Sequence, residues 1–196
     1  MTESARYTSV AITLHWVIAV LIVGMVFFGW QADDARGALR AGDTSVTLGD
    51  VRFLFNWHKT VGLLVLTLSL VRLGWRFTHK APPLPDGMKS WERFAAIAAH
   101  WGFYALMIGL PLGGWITASS SSASSAGWLF NMESLPIPSL TGENEALHEA
   151  TGFMHSKGAW VLLVLLGIHV LAGLKHHFAD RDDVLTRMLP FLKTRG

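Results

Sequence analysis

The stretch that most constrains this chain lies at about Glu149 to Phe178, which reads HSKGAWVLLVLLGIHVLAGLKHHF from His155 onward. A run this long and this apolar reads as a membrane-crossing helix. His155, His169 and His176 stand in it at offsets of fourteen and then seven residues. At 3.6 residues per turn both offsets return to nearly the same helix face. Fourteen residues rise about 21 Å, so His155 and His169 lie near opposite sides of a hydrocarbon core about 30 Å thick. One helix that carries an imidazole high and another low suggests two stacked cofactor sites, and the other spans must supply the partners.

Composition agrees with a membrane setting. Of 196 residues, 51% are hydrophobic and only 15% charged. Four spans with short connections nearly exhaust that length, which implies one domain over 1–196. The chain has no Cys. That excludes disulfides, thiolate-held iron–sulfur clusters and covalent CxxCH haem attachment. A net charge of +2 gives no argument for nucleic acid.

Taken in order, the hydropathy predicts spans at about 10–30, 53–77, 94–117 and 152–178. Span one is longer than a signal-peptide core and no convincing small-residue cleavage site follows it, so it reads as retained. Residues 31–52 read as a polar loop. A basic, Pro-rich connection occupies 78–93. Span three contains Pro111, which predicts a kink, and Gly109, Gly113 and Gly114, which permit close helix approach. Residues 118–148 open with a Ser/Ala run and turn acidic at Glu143, Glu145 and Glu149 nearby, reading as a long flexible loop. The expected fold is an all-α, up-down-up-down transmembrane four-helix bundle.

Lys and Arg set the orientation. They concentrate at the N-terminus, around 72–93 and in the tail from Lys175, and are absent from 118–148. The positive-inside rule then places both termini in the cytoplasm and loops 31–52 and 118–148 outside. Trp16, Trp30, Trp57, Trp75, Trp101, Trp115 and Trp160 fall near span ends, as an aromatic belt would.

A single membrane histidine often does no more than hydrogen-bond a neighbouring helix. Here the depths match in two couples: His15 with His169 inside, His58 with His155 outside. Bis-imidazole ligation from facing helices is how a b-type haem is held without thioether links. A zinc site would need three or four ligands at one depth, and these are spread over two.

The motifs LHW in span one, WHKTVG in span two, the histidines fourteen apart in span four, LAGLKHHF and DRDDVLTRM resemble the bacterial cytochrome b561 family. The resemblance covers nearly the whole chain. It implies a di-haem four-helix membrane cytochrome, with His15 and His169 on the cytoplasmic-side haem b and His58 and His155 on the periplasmic-side one. It also implies quinone chemistry near His176, whose plainer reading is an interfacial residue beside His177. The family includes quinone-coupled electron carriers and superoxide oxidases, so ubiquinone or a similar quinone is the expected acceptor, and superoxide or a periplasmic redox protein the donor.

Other residues carry competing readings. His148, one heptad outside His155, reads as a solvated loop histidine. His100 reads as a hydrogen-bonding residue or a weak competitor of His15, while His177 and His79 read as surface residues. Arg52, Lys59 and Lys157 surround the outer ligands and suit interfacial anchoring, pairing with haem propionates, or capture of a small anion. Two alternatives stand beside the quinone-linked cytochrome: a cytochrome subunit that docks a periplasmic partner on its acidic loop, and a haem-free transporter or scaffold with structural histidines.

Overall fold

The computed structural model describes residues 6–122, 126–189 and 191–192. Four long helices carry them: α1 Ser9–Arg40, α2 Leu48–Thr78, α3 Ser90–Ser119 and α4 Glu145–Lys175. The last runs directly into a π-helical turn, His176–Asp180. All four are long and apolar enough to cross a membrane. No strand occurs among the described residues. The chain is thus an all-α transmembrane four-helix bundle.

Local chemistry fixes the helix starts. The Thr8 hydroxyl accepts the Ala11 amide at 3.2 Å. Thr47 and Asp50 form a reciprocal capping box at the head of α2. Asn144 accepts the Leu147 amide at 3.0 Å and opens α4. These caps make the helices longer than their apolar cores. α1 continues ten residues past the expected end of span one, through QADDARGALR, because Ala, Arg, Leu and Gln sustain a helix outside lipid. It stops where Gly42 adopts a left-handed φ of 82°. The loop expected at 31–52 is therefore only 41–47. α4 likewise begins at Glu145, which places His148 on the helix rather than in a loop.

Short connections make sequential helices antiparallel. α1 packs along α2, α2 against α3, and α3 along α4, whereas α1 and α4 make no comparable backbone approach. The bundle is two hairpins, α1–α2 and α3–α4, joined mainly where α2 meets α3. Its small buried centre is Ile18, Ile22, Val65, Tyr104, Met107, Leu110 and Leu162. α3 is continuous through Pro111. The start of α1 and residues 181–189 lie at one end of the bundle, called proximal below. Lys175 reaches Glu92 at this end at 2.7 Å, and the Trp75 indole donates to Thr8 at 3.0 Å.

The long distal connection is more ordered than its composition suggests. Asn56, buried on α2, accepts the Trp128 amide at 3.1 Å and donates to the Asn131 side chain at 2.8 Å. The Thr60 hydroxyl accepts the Phe130 amide at 2.9 Å, and Lys59 donates to the Ala126 carbonyl at 2.7 Å. Trp115 donates to the Pro138 carbonyl at 2.8 Å, and Ser119 accepts the Leu140 amide at 3.1 Å. Side chains of α2 and α3 thus hold the segment 126–140 down as a cap over the distal end. In place of the expected flexible link, Ser119 and Ser120 are buried at the end of α3; residues 123–125 of that run lie outside the described residues.

The proximal end is closed too. Residues 181–189 fold back across it, with the Trp16 indole donating to the Met188 carbonyl at 2.9 Å. Arg187 pairs with Asp183 at 2.8 Å and also donates to the Pro83 carbonyl. His177, expected at the surface, is buried, because it sits in the π turn that this tail covers. His79 is exposed and stacks on Trp75 with ring centroids 3.7 Å apart.

Replacing Asn56 with Ala removes both clamps at once. A buried amide deprived of its partner costs about 1–3 kcal/mol. N56A is expected to accelerate hydrogen exchange at Trp128 and its neighbours while the amides of α1 and α2 keep their protection. Unchanged exchange at Trp128 would show that Asn56 does not hold the cap.

Candidate cofactor-binding site

Two pairs of histidines meet across the seam between the hairpins. His15 of α1 and His169 of α4 have ring centroids 6.1 Å apart, with planes inclined at 62°. His58 of α2 and His155 of α4 have centroids 5.9 Å apart, inclined at 85°. The first pair lies toward the proximal end and the second toward the distal end. These are the couples expected from depth alone.

The separation is compatible with a metal shared by each pair. Two imidazoles that each place a nitrogen about 2 Å from one shared metal have centroids about 6 Å apart. Hydrogen-bonded imidazoles in direct contact would lie closer. Both pairs also bridge helices whose backbones do not pack against one another. Such a gap would leave room for a planar macrocycle held by the two histidines of a pair.

The distal rings are docked by a shared device. His58 donates through Nδ1 to the Met25 carbonyl at 2.9 Å, and His155 donates through Nδ1 to the Leu110 carbonyl at 2.8 Å. A carbonyl only accepts, so Nδ1 carries the proton in each ring and Nε2 is left free for a metal. Each accepting carbonyl lies one turn before a glycine, Gly29 after Met25 and Gly114 after Leu110. A Cβ at Gly29 would come within 3.0 Å of the His58 ring, and one at Gly114 within 2.9 Å of the His155 ring. The rings therefore lie directly on the neighbouring helix, where any other residue would displace them. Sequence reasoning noted Gly114 as a helix-approach residue and missed Gly29. The available signal was a glycine four residues after the accepting position on the paired helix, and that needs the helix register to be known.

The proximal pair is held differently. Among the described residues no hydrogen bond reaches the His15 or His169 ring. Phe103 packs edge-on to His169 at 5.2 Å and Trp16 edge-on to His15 at 5.2 Å. His100 also stands 6.0 Å from His169, inclined at 83°. Distance alone does not separate it from His15. The backbone does: α3 packs along α4 and leaves no gap for a macrocycle between His100 and His169, whereas α1 and α4 stand apart. His100 Nδ1 bonds the Ala96 carbonyl of its own helix at 2.6 Å.

The other candidates separate cleanly. His148 Nδ1 bonds the Thr117 carbonyl at 2.8 Å and ties α4 to α3. Lys59 is engaged with the cap, Lys157 lies over the Phe153 ring of its own helix at 5.8 Å, and Arg52 is exposed. His176 is buried in the π turn, with Nδ1 2.7 Å from Asp182 Oδ2 and 3.1 Å from Asp180 Oδ2.

This set of residues suits a non-covalently held haem: two neutral nitrogen donors per site, no thiolate, apolar walls and second-nitrogen carbonyl partners at the distal site. Residues 6–191 match the family model described as prokaryotic cytochrome b561. The chain is 30% identical over 195 residues to "Cytochrome b561 homolog 2" of Escherichia coli, covering 94% of this chain and 91% of that protein. It is 26% identical to the "Probable superoxide oxidase CybB" of Yersinia pestis, covering 97% and 98%. It is 28% identical to the "Cytochrome b562" of Cereibacter sphaeroides, covering 96% and 98%. The paired histidines, the four apolar helices and this match over nearly the whole length agree, and the chain belongs to the prokaryotic cytochrome b561 family of membrane electron-transfer cytochromes.

Proposed function

We propose that this protein is a di-haem b-type cytochrome of the bacterial inner membrane. It carries electrons between a donor at its periplasmic, distal face and a quinone at its cytoplasmic, proximal face, acting as a superoxide:quinone oxidoreductase. The observation that carries the reading is the pair of seam-spanning imidazole couples, each at the spacing of axial ligands to one metal. His15 and His169 would hold the cytoplasmic-side haem, His58 and His155 the periplasmic-side one. Bound haem supplies one-electron chemistry at iron, at a potential set by its axial ligands and surroundings.

The chain's own residues do the rest. The Met25 and Leu110 carbonyls orient the distal ligands and make them more basic. The 126–140 cap limits water at the distal site, and the cations Arg52, Lys59 and Lys157 give that face a local attraction for an anionic donor. His176, in the covered proximal turn, supplies protons to a quinone, which takes up two protons with two electrons. The relative named as a probable superoxide oxidase supports superoxide as the donor.

A second reading keeps the haems and changes the donor. The ordered cap exposes Glu133, Met132 and Leu135, a mixed acidic and apolar surface that a periplasmic redox protein could dock on. Rapid haem reduction by superoxide in the purified protein alone favours the first reading; co-purification of a redox subunit favours the second.

The purified protein is expected to show the Soret and reduced α-bands of bis-histidine b haem, with two haems per chain. H169A should retain only the haem held by His58 and His155. A protein without a Soret band would be the haem-free transporter or scaffold. H155A should lose the distal haem and H148A should keep both; the opposite pattern would exchange the roles of these two residues. G29A should deplete the distal haem without touching the proximal one, since the added methyl occupies the space of the His58 ring. Full haem content in G29A would show that this ring has room to move.

A further inference from the structure

The π turn at the proximal end joins His176 to Asp182 twice. The Asp182 amide donates to the His176 carbonyl at 3.1 Å, and His176 Nδ1 lies 2.7 Å from Asp182 Oδ2. The chain reaches this geometry by taking Arg181 through a left-handed φ of 56°, a conformation that side-chain-bearing residues seldom adopt. The other Asp182 oxygen, Oδ1, accepts the Val184 amide at 3.0 Å. Both carboxylate oxygens are thus assigned, one to the backbone and one to the imidazole.

Further charges complete the surroundings. Asp180 Oδ2 is 3.1 Å from His176 Nδ1 and is also bound by Lys175 Nζ at 2.7 Å. Lys175 reaches across to Glu92 on α3 at 2.7 Å. Asp180 and Asp182 both face the buried ring, and the Lys175 ammonium stands on Asp180. A divalent cation could be drawn to His176, Asp180 and Asp182, but the Lys175 ammonium already stands on Asp180.

We infer that Asp182 is a positioning residue that fixes the tautomer of His176, making Nε2 the nitrogen that exchanges protons with the quinone. The inference rests on the quinone role proposed for His176. A carboxylate facing Nδ1 can only accept, so Nδ1 keeps its proton whether the ring is neutral or cationic. Proton gain and loss are then confined to Nε2. The cationic ring gives the Nε2 proton to a quinone oxygen as electrons arrive, and the neutral ring recovers one from the cytoplasm. Asp182 gains and loses nothing in this cycle; it orients the ring.

D182N is the discriminating variant. The Asn carbonyl can keep the Val184 amide bond, so the turn survives. Its amide then presents N–H toward His176 Nδ1, which loses its nearest acceptor and keeps only Asp180, 3.1 Å away and already bound by Lys175, so the proton is no longer fixed on Nδ1. With a quinol-forming assay driven by a chemical reductant, D182N is expected to lower kcat by about tenfold or more. KM for the quinone should stay within about threefold, since binding contacts are unchanged. Both haem bands should remain at parent intensity. D182E, which restores an accepting carboxylate, should turn over faster than D182N. Parent-like kcat in D182N, or a D182E no faster than D182N, overturns the inference. H176A separates the two layers. If H176A is slow while D182N is not, only the tautomer role fails; if H176A itself turns over like the parent, the quinone role of His176 fails.

Discussion

An imidazole between apolar helices has two nitrogens to satisfy and little water to do it with. The arrangement of this bundle follows from how that demand is met. At the distal site each ring commits one nitrogen to a carbonyl on the neighbouring helix and turns the other toward the seam. The carbonyl is intrahelical and would otherwise serve only the amide one turn on. That amide belongs to a glycine in both cases, which is what lets the ring approach. His58 thereby locks α2 to α1, and His155 locks α4 to α3. The same contacts that stabilise each hairpin therefore aim a free nitrogen at the other hairpin.

The two hairpins need something between them. Helix association in lipid has no hydrophobic drive and depends on packing and on polar contacts. Among the described residues α1 and α4 make no backbone approach comparable to the other helix pairs, and two ring pairs bridge them, His15 with His169 and Trp30 with Trp160 at 6.0 Å. Haem held by the histidine couples proposed above would bridge that seam. Cofactor binding and closure of the bundle would then be the same event.

Much of this was legible in the sequence, for reasons that also mark where legibility ended. The spans follow from hydropathy, and the couples follow from helical rise, since residues fourteen apart on one helix must differ in depth by about 21 Å. Neither signal depends on a neighbour. Helix ends were misjudged because polar segments such as 31–40 leave the membrane and remain helical, and caps rather than hydropathy stop them. The ordered cap was missed because its anchors, Asn56 and Thr60, lie about seventy residues earlier and look like ordinary polar residues of a span. The burial of His177 was missed because it depends on a π turn and a tail that folds back, which the basic composition of the tail conceals. Gly29 was invisible until α1 and α2 had a register.

α4 carries His155 of the distal couple and His169 of the proximal one, and His176 follows in the π turn. His155 and His169 are rigidly linked, because a helix of this length transmits both rise and rotation. Inserting one residue between His155 and His169 would rotate one ring by about 100° relative to the other and leave only one able to face the seam. The π turn that follows takes the opposite course. By widening the helix at His176 it breaks the register there, and the ring answers to Asp182 instead of the seam. The helix and the turn that follows it thus place His155 and His169 by strict periodicity and His176 by departing from it.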